Sequence, residues 1–423
     1  MSFPRYPEYK DGGVEWLGEV PGHWELVRYK NVFDEKTSIA GTSHPPGSIS
    51  FGRVIFKDGE FLHEPTRASY QEVLSGEFLI NPINLNYDLK SLRTALSEID
   101  TCVSPAYIVL TAKVATDKNY MKYQLHVFDL FHMKTLGAGV RQTIAFGDIG
   151  VCFTCLPPLP EQTLIAAFLD RETTKIDALV GEQRRLMAML KEKRQAVISH
   201  AVTRGLNRDA PMKPSGIEWL GDVPEHWEIT KIGYVANVSR GTGYQNVEEI
   251  QEGDDAIPMI RISDFNDFAP VWVRNSSSLD VYKVDSNDIL IAGTGASAGI
   301  TMRVTKEMSH MIHSYNAPRI RCQKIDPQFL HYVLNSHGIE QQEALLFSGS
   351  AQPFLDLHSI SKLELPYCSI VEQIEIVDYL NEQVDMYDAL ASEAQRAIDL
   401  LQERRTALIS AAVTGQIDVR AIA

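Results

Sequence analysis

Residues 13–24 read GVEWLGEVPGHW, and residues 216–227 read GIEWLGDVPEHW. Only Val/Ile, Glu/Asp and Gly/Glu exchanges separate the two stretches, which marks an internal copy. The copy extends outward. EQTLIAAFLD from Glu161 answers EQIEIVDYLN from Glu372, and KEKRQAVISHAVT from Lys191 answers QERRTALISAAVT from Gln402. Between these edges the echoes are weaker: GEFLIN at Gly76 with NDILIA from Asn287, and SPAYIVL at Ser104 with NAPRIRC from Asn316. The offset drifts only from 203 to 212, so one unit of about 200 residues has been duplicated in tandem.

Each copy has one order: a short Trp-containing entry, a β-rich middle, then a long helix. The middles, 25–156 and 228–366, hold apolar runs of strand length at 78–80, 107–110 and 289–291, punctuated by Gly, Asn and Pro. Shorter helices are expected at 121–131 and 328–335. Residues 205–216, GLNRDAPMKPSG, have the composition of a linker. The expected class is α+β.

The long helices are legible at their starts. Pro160 suits a first helical turn, where a missing N–H costs nothing. Ser369 and Glu372 have capping-box spacing. A four-then-three row follows in each. The first takes in Ile165, Leu169, Ile176, Leu179, Leu186 and Leu190; the second Ile376, Leu380, Tyr387, Leu390 and Leu401, with Leu408 beyond. Such a row predicts a heptad seam. Residues 161–204 carry eight Lys/Arg against six Asp/Glu, and 372–413 three against nine, so each helix attracts the other rather than its own copy. The expectation is that the two helices pair with each other within one chain; the alternative is that each packs only on its own unit. At 1.5 Å per residue the pair forms a rod of about 60 Å that holds two modules at a set distance.

Composition bounds the rest. With 423 residues, 44% hydrophobic and 22% charged, the chain has the make-up of a folded protein of several units. No apolar run reaches the ~18 residues of a membrane span. The N-terminus lacks the pattern of a secretory signal, and five scattered cysteines do not make a disulfide framework. A cytoplasmic protein is expected. The net charge of −15 opposes any simple nucleic-acid role, because phosphate binding normally draws on a basic balance.

No active site is legible. Residues 293–299, GTGASAG, lack the Gly-Lys-Ser/Thr of a phosphate loop. Residues 81–84, NPIN, have Ile83 and Asn84 where amino-methyltransferases place a second proline and a base-stacking aromatic. Cys152 and Cys155 form a lone Cys-x-x-Cys, better read as strand cysteines than as zinc ligands. There is no His-Glu-x-x-His, and no spacing supports a Ser-His-Asp triad.

The repeated edges, EWLGEVPxHW, LPPLPEQ and AVTRG, resemble the specificity subunit of type I restriction-modification systems, over residues 13 to about 419. The second copy departs with LPYCSIVEQ in place of LPPLPEQ. The resemblance implies a chain without catalysis of its own, in which 1–156 and 207–366 contain target recognition domains. Residues 157–206 and 367–423 would hold the spacer helices, paired as an antiparallel coiled coil. It implies double-stranded DNA as partner, read as a split target, with two copies of an adenine methyltransferase subunit and translocase/nuclease restriction subunits. S-adenosylmethionine, ATP and Mg belong to those partners, with no cofactor or metal in this chain. The competing reading is a non-enzymatic coiled-coil adaptor bridging two proteins.

Candidate DNA contacts are amide and basic side chains on loops beside the apolar strands. In the first middle these are Asn81, Asn84, Asn86, Lys90 and Arg93, then Arg141 and Gln142; simple turn chemistry is the alternative for the first group. In the second they are Arg240, Thr242, Tyr244, Gln245 and Asn246, then Thr294, Ser297 and Gln352. The middles sum to about −1 and −6, so a local basic face is an expectation and not a reading. Trp16, Trp24, Trp219 and Trp227 are expected as core anchors at the module–helix junction. Lys191, Lys193, Arg194, Arg404 and Arg405 are expected on a solvated or partner-facing helix surface.

Overall fold

The computed structural model describes residues 3–38, 40, 43–50, 52–57, 64–83, 92–136, 143–218, 220–347 and 353–422. Two compact units emerge. The first joins residues 1–183 to 396–423; the second is 184–395. Each contains one middle and portions of both long helices, Leu159–Arg204 and Ile370–Val413.

In the first unit a six-stranded sheet runs in the order Phe33–Glu35, Ile108–Ala112, Phe78–Ile80, Thr94–Leu96, Arg53–Phe56, Gly47–Ser50. Phe78–Ile80 is apolar throughout because it is buried on both faces, paired antiparallel on either side. Helix Lys118–Phe131 packs on the adjoining strand Thr94–Leu96. Asp117 caps that helix, accepting from Tyr120 N at 3.0 Å, and the helix buries Tyr120, Met121, Leu125 and Phe128 at helical spacing.

The second unit repeats this plan in reduced form. Its four-stranded sheet runs Ala236–Ser239, Arg319–Cys322, Ile289–Ile291, Thr301–Arg303, with Ile289–Ile291 fully buried. A separate three-stranded sheet, Val271–Arg274, Ala256–Ile260, Ile312–His313, has no counterpart of the same order among the described residues of the first unit. Helix Pro327–Leu334, capped by Asp326, stands where Lys118–Phe131 does. The copied entries form equivalent hairpins, Lys10 opposite Val20 and Lys213 opposite Val223. Each middle is closed by a two-stranded ribbon, Glu25–Arg28 with Phe153–Leu156 and Glu228–Lys231 with Glu364–Tyr367.

Within each unit the two long helices meet antiparallel. In the first, Arg405 Nε donates to Asp177 Oδ1 at 2.9 Å; in the second, Arg194 Nε donates to Asp388 Oδ1 at 3.0 Å. The two ion pairs are separated by seventeen residues on each helix. Arg194 and Arg405 therefore tie helix to helix and are not merely solvated. Such exposed pairs contribute at most about 1 kcal/mol each, and they report alignment more than stability. Apolar packing supplies the rest: Ile198, Ala201 and Val202 share one core with Ile376, Val377 and Leu380 in the second unit.

The buried face differs from the heptad expectation. Leu179, Leu186 and Leu390 are 51%, 39% and 46% exposed, while Ile165, Leu169, Ile176, Leu190, Ile376 and Leu380 are buried, and Tyr387 and Leu401 are half-buried. Thr173 and Val180 take the buried places that a strict 3.5-residue step gives to 172 and 179. The reason is drift, since a straight helix slips about 20° per heptad. The face repeats every eleven residues instead: Ile165, Ile176, Met187, Ile198 on one helix and Ile376, Tyr387, Ile398, Ile409 on the other, all buried or half-buried. Among the described residues no helix is long and apolar enough to cross a membrane.

Candidate nucleic-acid interface

The frame of the site is the junction between each middle and its helices. In the first unit the fully buried Trp24 donates from Nε1 to Glu161 Oε1 at 3.0 Å, and His23 Nε2 lies 2.9 Å from Glu161 Oε2. In the second, Trp227 donates to Glu372 Oε1 at 3.0 Å and His226 Nε2 lies 3.0 Å from Glu372 Oε2. The neighbouring glutamine repeats as well. Gln162 accepts from Asp117 N at 2.9 Å and donates to the Pro157 carbonyl at 2.8 Å. Gln373 accepts from Asp326 N at 2.8 Å and donates to the Cys368 carbonyl at 2.8 Å. Further along, Tyr123 donates to Asp170 at 2.7 Å, and Tyr332 to Asn381 at 2.8 Å.

Each tryptophan also receives the far end of the other long helix. Gly415, at φ +75°, follows the second helix; a Cβ there would lie 2.2 Å from Pro21 and 3.2 Å from the Trp24 ring. Gly205, at φ +72°, follows the first helix and lies against Trp227, 3.3 Å from a would-be Cβ. Glycine serves both places because it takes the left-handed cap and leaves room for an indole. Trp16 is half-buried, edge-on to Phe128 and stacked on His132; Trp219 lies outside the described residues. Glu161 and Glu372 carry these junctions yet were absent from the sequence candidates. The signal that identifies them is the repeated Glu-Gln pair, aligned with the repeated His-Trp pair. Ser369 Oγ does accept from Glu372 N, at 3.3 Å, but the Glu372 carboxylate turns to Trp227, so only half of the capping box forms.

On this frame, loops gather beyond the sheet strands. In the second unit Thr242 N donates to the His313 carbonyl at 3.0 Å, and Tyr315 N to the Thr242 carbonyl at 2.7 Å. Gly293 N donates to the Asn316 carbonyl at 2.9 Å, Leu355 N to the Gly293 carbonyl at 2.8 Å and Gly295 N to the Pro353 carbonyl at 3.1 Å. Segments 240–246, 293–297, 313–317 and 353–355 thus form one cluster. Tyr244, Gln245, Asn246, Tyr315 and Phe354 stand exposed, Arg240, Thr294 and Ser297 are half-exposed, and Thr242 is buried as a strut. His313, under the cluster, is held neutral: burial lowers it to about 4 while its Nδ1 bonds the Ala317 carbonyl at 2.8 Å. Behind Gly299, burial pushes the Glu343 carboxyl up to about 7.

The first unit shows the same tie: Ile144 N donates to the Pro82 carbonyl at 3.2 Å, equivalent at an offset of 211 to Leu355 and Gly293. Asn81 accepts from Ile83 N at 3.2 Å as a turn former, and Arg93 donates to the Ile83 carbonyl, so both shape the loop. Asn84, Asn86, Lys90, Arg141, Gln142 and Gln352 lie outside the described residues. Tyr315 and Phe354 join the second cluster without having been singled out from sequence, because only the fold brings them beside Thr242 and Thr294.

Cys155 lies within the strand Phe153–Leu156 and donates to the Val413 carbonyl at 3.1 Å, its thiol pushed up to about 12 by burial; Cys152 immediately precedes the strand. Among the described residues no group of three or more His, Cys, Asp or Glu is placed to hold a metal ion.

Residues 224–398 match the family described as type I restriction modification DNA specificity domain. The chain is similar to the type I restriction-modification specificity subunits. The MjaVIII specificity subunit of Methanocaldococcus jannaschii is 22% identical over 95% of this chain and 94% of its own length. The EcoBI specificity subunit of Escherichia coli is 26% identical over 62% of this chain and 58% of its own. A solved chain described under complex assembly and conformational transition of the type I R-M system shares the fold. It superposes at a TM-score of 0.68, with 15% identity over 94% of this chain and 99% of that one.

Proposed function

We propose that this chain reads a split DNA sequence for a type I restriction-modification enzyme, each middle reading one half. The observation that carries the reading is the junction repeated contact for contact, Trp24–Glu161 and Trp227–Glu372, beneath two middles whose sheets differ. Constant junctions with divergent loops are what two readers of different sequences on one scaffold require. Residues 1–156 and 207–366 serve as readers, and 157–206 with 367–423 as the spacer. The paired helices set the gap between half-sites and scaffold two adenine methyltransferase subunits, to which restriction subunits are added. S-adenosylmethionine, ATP and Mg act in those partners, in the cytoplasm, and this chain contributes no catalytic group. Base contacts fall to Arg240, Tyr244, Gln245, Asn246, Thr294 and Ser297 in the second reader, and to the loops around Asn81 and Arg93 in the first.

The acidic total is compatible with this role because affinity for the duplex is shared with the partner subunits, while reading depends on a few local groups. Co-expression with the modification subunit, followed by genome-wide mapping of methylated adenines, tests the reading. A split motif with a fixed gap is expected. Methylation without any motif would overturn the reading and favour an adaptor that joins two proteins, and methyl transfer by the purified chain alone would overturn its non-catalytic part.

A further inference from the structure

Of the six arginines in residues 228–367, four sit on carboxylates: Arg261 on Asp264, Arg274 on Glu248, and Arg319 and Arg321 on Asp288. Arg240 is held differently. Its Cζ lies 4.4 Å from the centroid of the Tyr315 ring, and its Nη1 donates to the Tyr315 hydroxyl at 2.6 Å. A neutral aromatic fixes the guanidinium without cancelling its charge. The mount is itself braced by the hydrogen bond from Tyr315 N to Thr242 and by that from Thr242 N to His313. Gly241 permits this closeness, since a Cβ there would lie 2.1 Å from the His313 carbonyl oxygen.

We propose that Arg240, positioned by Tyr315, recognises a guanine in the half-site read by the second unit; the inference rests on the DNA-reading role above. Arg240 Nε is buried and has no hydrogen-bond partner among the described residues, so the usable edge is the Nη1–Nη2 end. That end presents two parallel N–H donors, which match the O6 and N7 acceptors of guanine in the major groove. Adenine sets its N6 amino group against the same donors and is rejected. Gln245 and Asn246, exposed on the same loop, supply amides for the neighbouring bases. Tyr315 is a positioning residue: its ring and hydroxyl fix the fork before DNA arrives.

The test uses the complex with the modification subunit, carrying Arg240→Lys, Arg240→Ala or Tyr315→Phe, with methylated adenines mapped across a genome and thermal melting confirming the fold. Wild-type complex should show a guanine at one position of the second half-site. Arg240→Lys, which keeps the charge but not the fork, should relax that position about 10- to 100-fold and leave the first half-site unchanged. Tyr315→Phe should relax it less, and at that position alone. Evenly reduced methylation with an intact motif would make Arg240 a phosphate contact and overturn the inference, as would an unchanged motif. If the wild-type complex shows no split motif, the DNA-reading role itself fails and takes this inference with it.

Discussion

The eleven-residue face of the helices makes a length test sharper than a heptad would. Residues 180–190 and 392–402 are eleven-residue stretches of the two helices, each lying between its helix's members of the pairs Asp177–Arg405 and Arg194–Asp388. Adding one copy of both segments preserves the buried face, because eleven residues complete three turns at 3.67 residues per turn. Each copy lengthens the rod by about 16 Å and two copies by about 33 Å. One turn of B-DNA is about 34–36 Å, or about 10–10.5 base pairs. Two added copies should therefore carry the second reader a whole duplex turn along. Adenine mapping should return the same half-sites with a gap about 10 base pairs longer. One added copy advances about half a turn and turns the reader to the wrong side of the duplex, so methylation should collapse although the protein still folds. If two copies left the gap unchanged, or one copy worked as well as two, the helices would not be the ruler.

Other outcomes follow from single contacts. Glu372→Gln or Glu161→Gln weakens the charged acceptor under a buried indole and should cost about 1–3 kcal/mol in chemical denaturation, with larger loss for Trp227→Ala. Gly241→Ala drives a Cβ into the His313 carbonyl and should erase discrimination in the second half-site while the first is still read, as scored in methylated motifs. Glu343 is raised to about 7 from 4.5, so the folded protein holds its proton more tightly than the unfolded chain. The stability linked to that proton is complete below about pH 4.5 and is lost as pH rises through 7. Glu343→Gln should accordingly raise the melting temperature more at pH 8 than at pH 5, by an amount corresponding to no more than roughly 3 kcal/mol. An equal shift at both values would remove Glu343 from the pH response.

Sequence repetition revealed the duplicated plan because the junction residues are constrained by direct contacts: His-Trp must meet Glu-Gln, and the helix ends must bring glycine to the indoles. Strands such as Phe78–Ile80 and Ile289–Ile291 were legible for a related reason, since full burial leaves an unbroken apolar run. The helix face was misjudged by one position at Leu179, Leu186 and Leu390, where leucine invites a heptad reading but sits on the outer side. Hydrophobicity alone cannot set that phase; the partner helix does. The extra three-stranded sheet of the second unit leaves no repeat to follow. Tyr315 and Phe354 lie 75 and 60 residues from Arg240 and Thr294, the residues of the loop cluster they join, so no local pattern points to them.

The most direct measurement exchanges residues 25–156 for the corresponding segment of another specificity subunit and maps methylated adenines in the assembled complex. One half-site should change while the other half-site and the gap stay as they were. Simultaneous change of both half-sites, or of neither, would contradict two independent readers on one spacer.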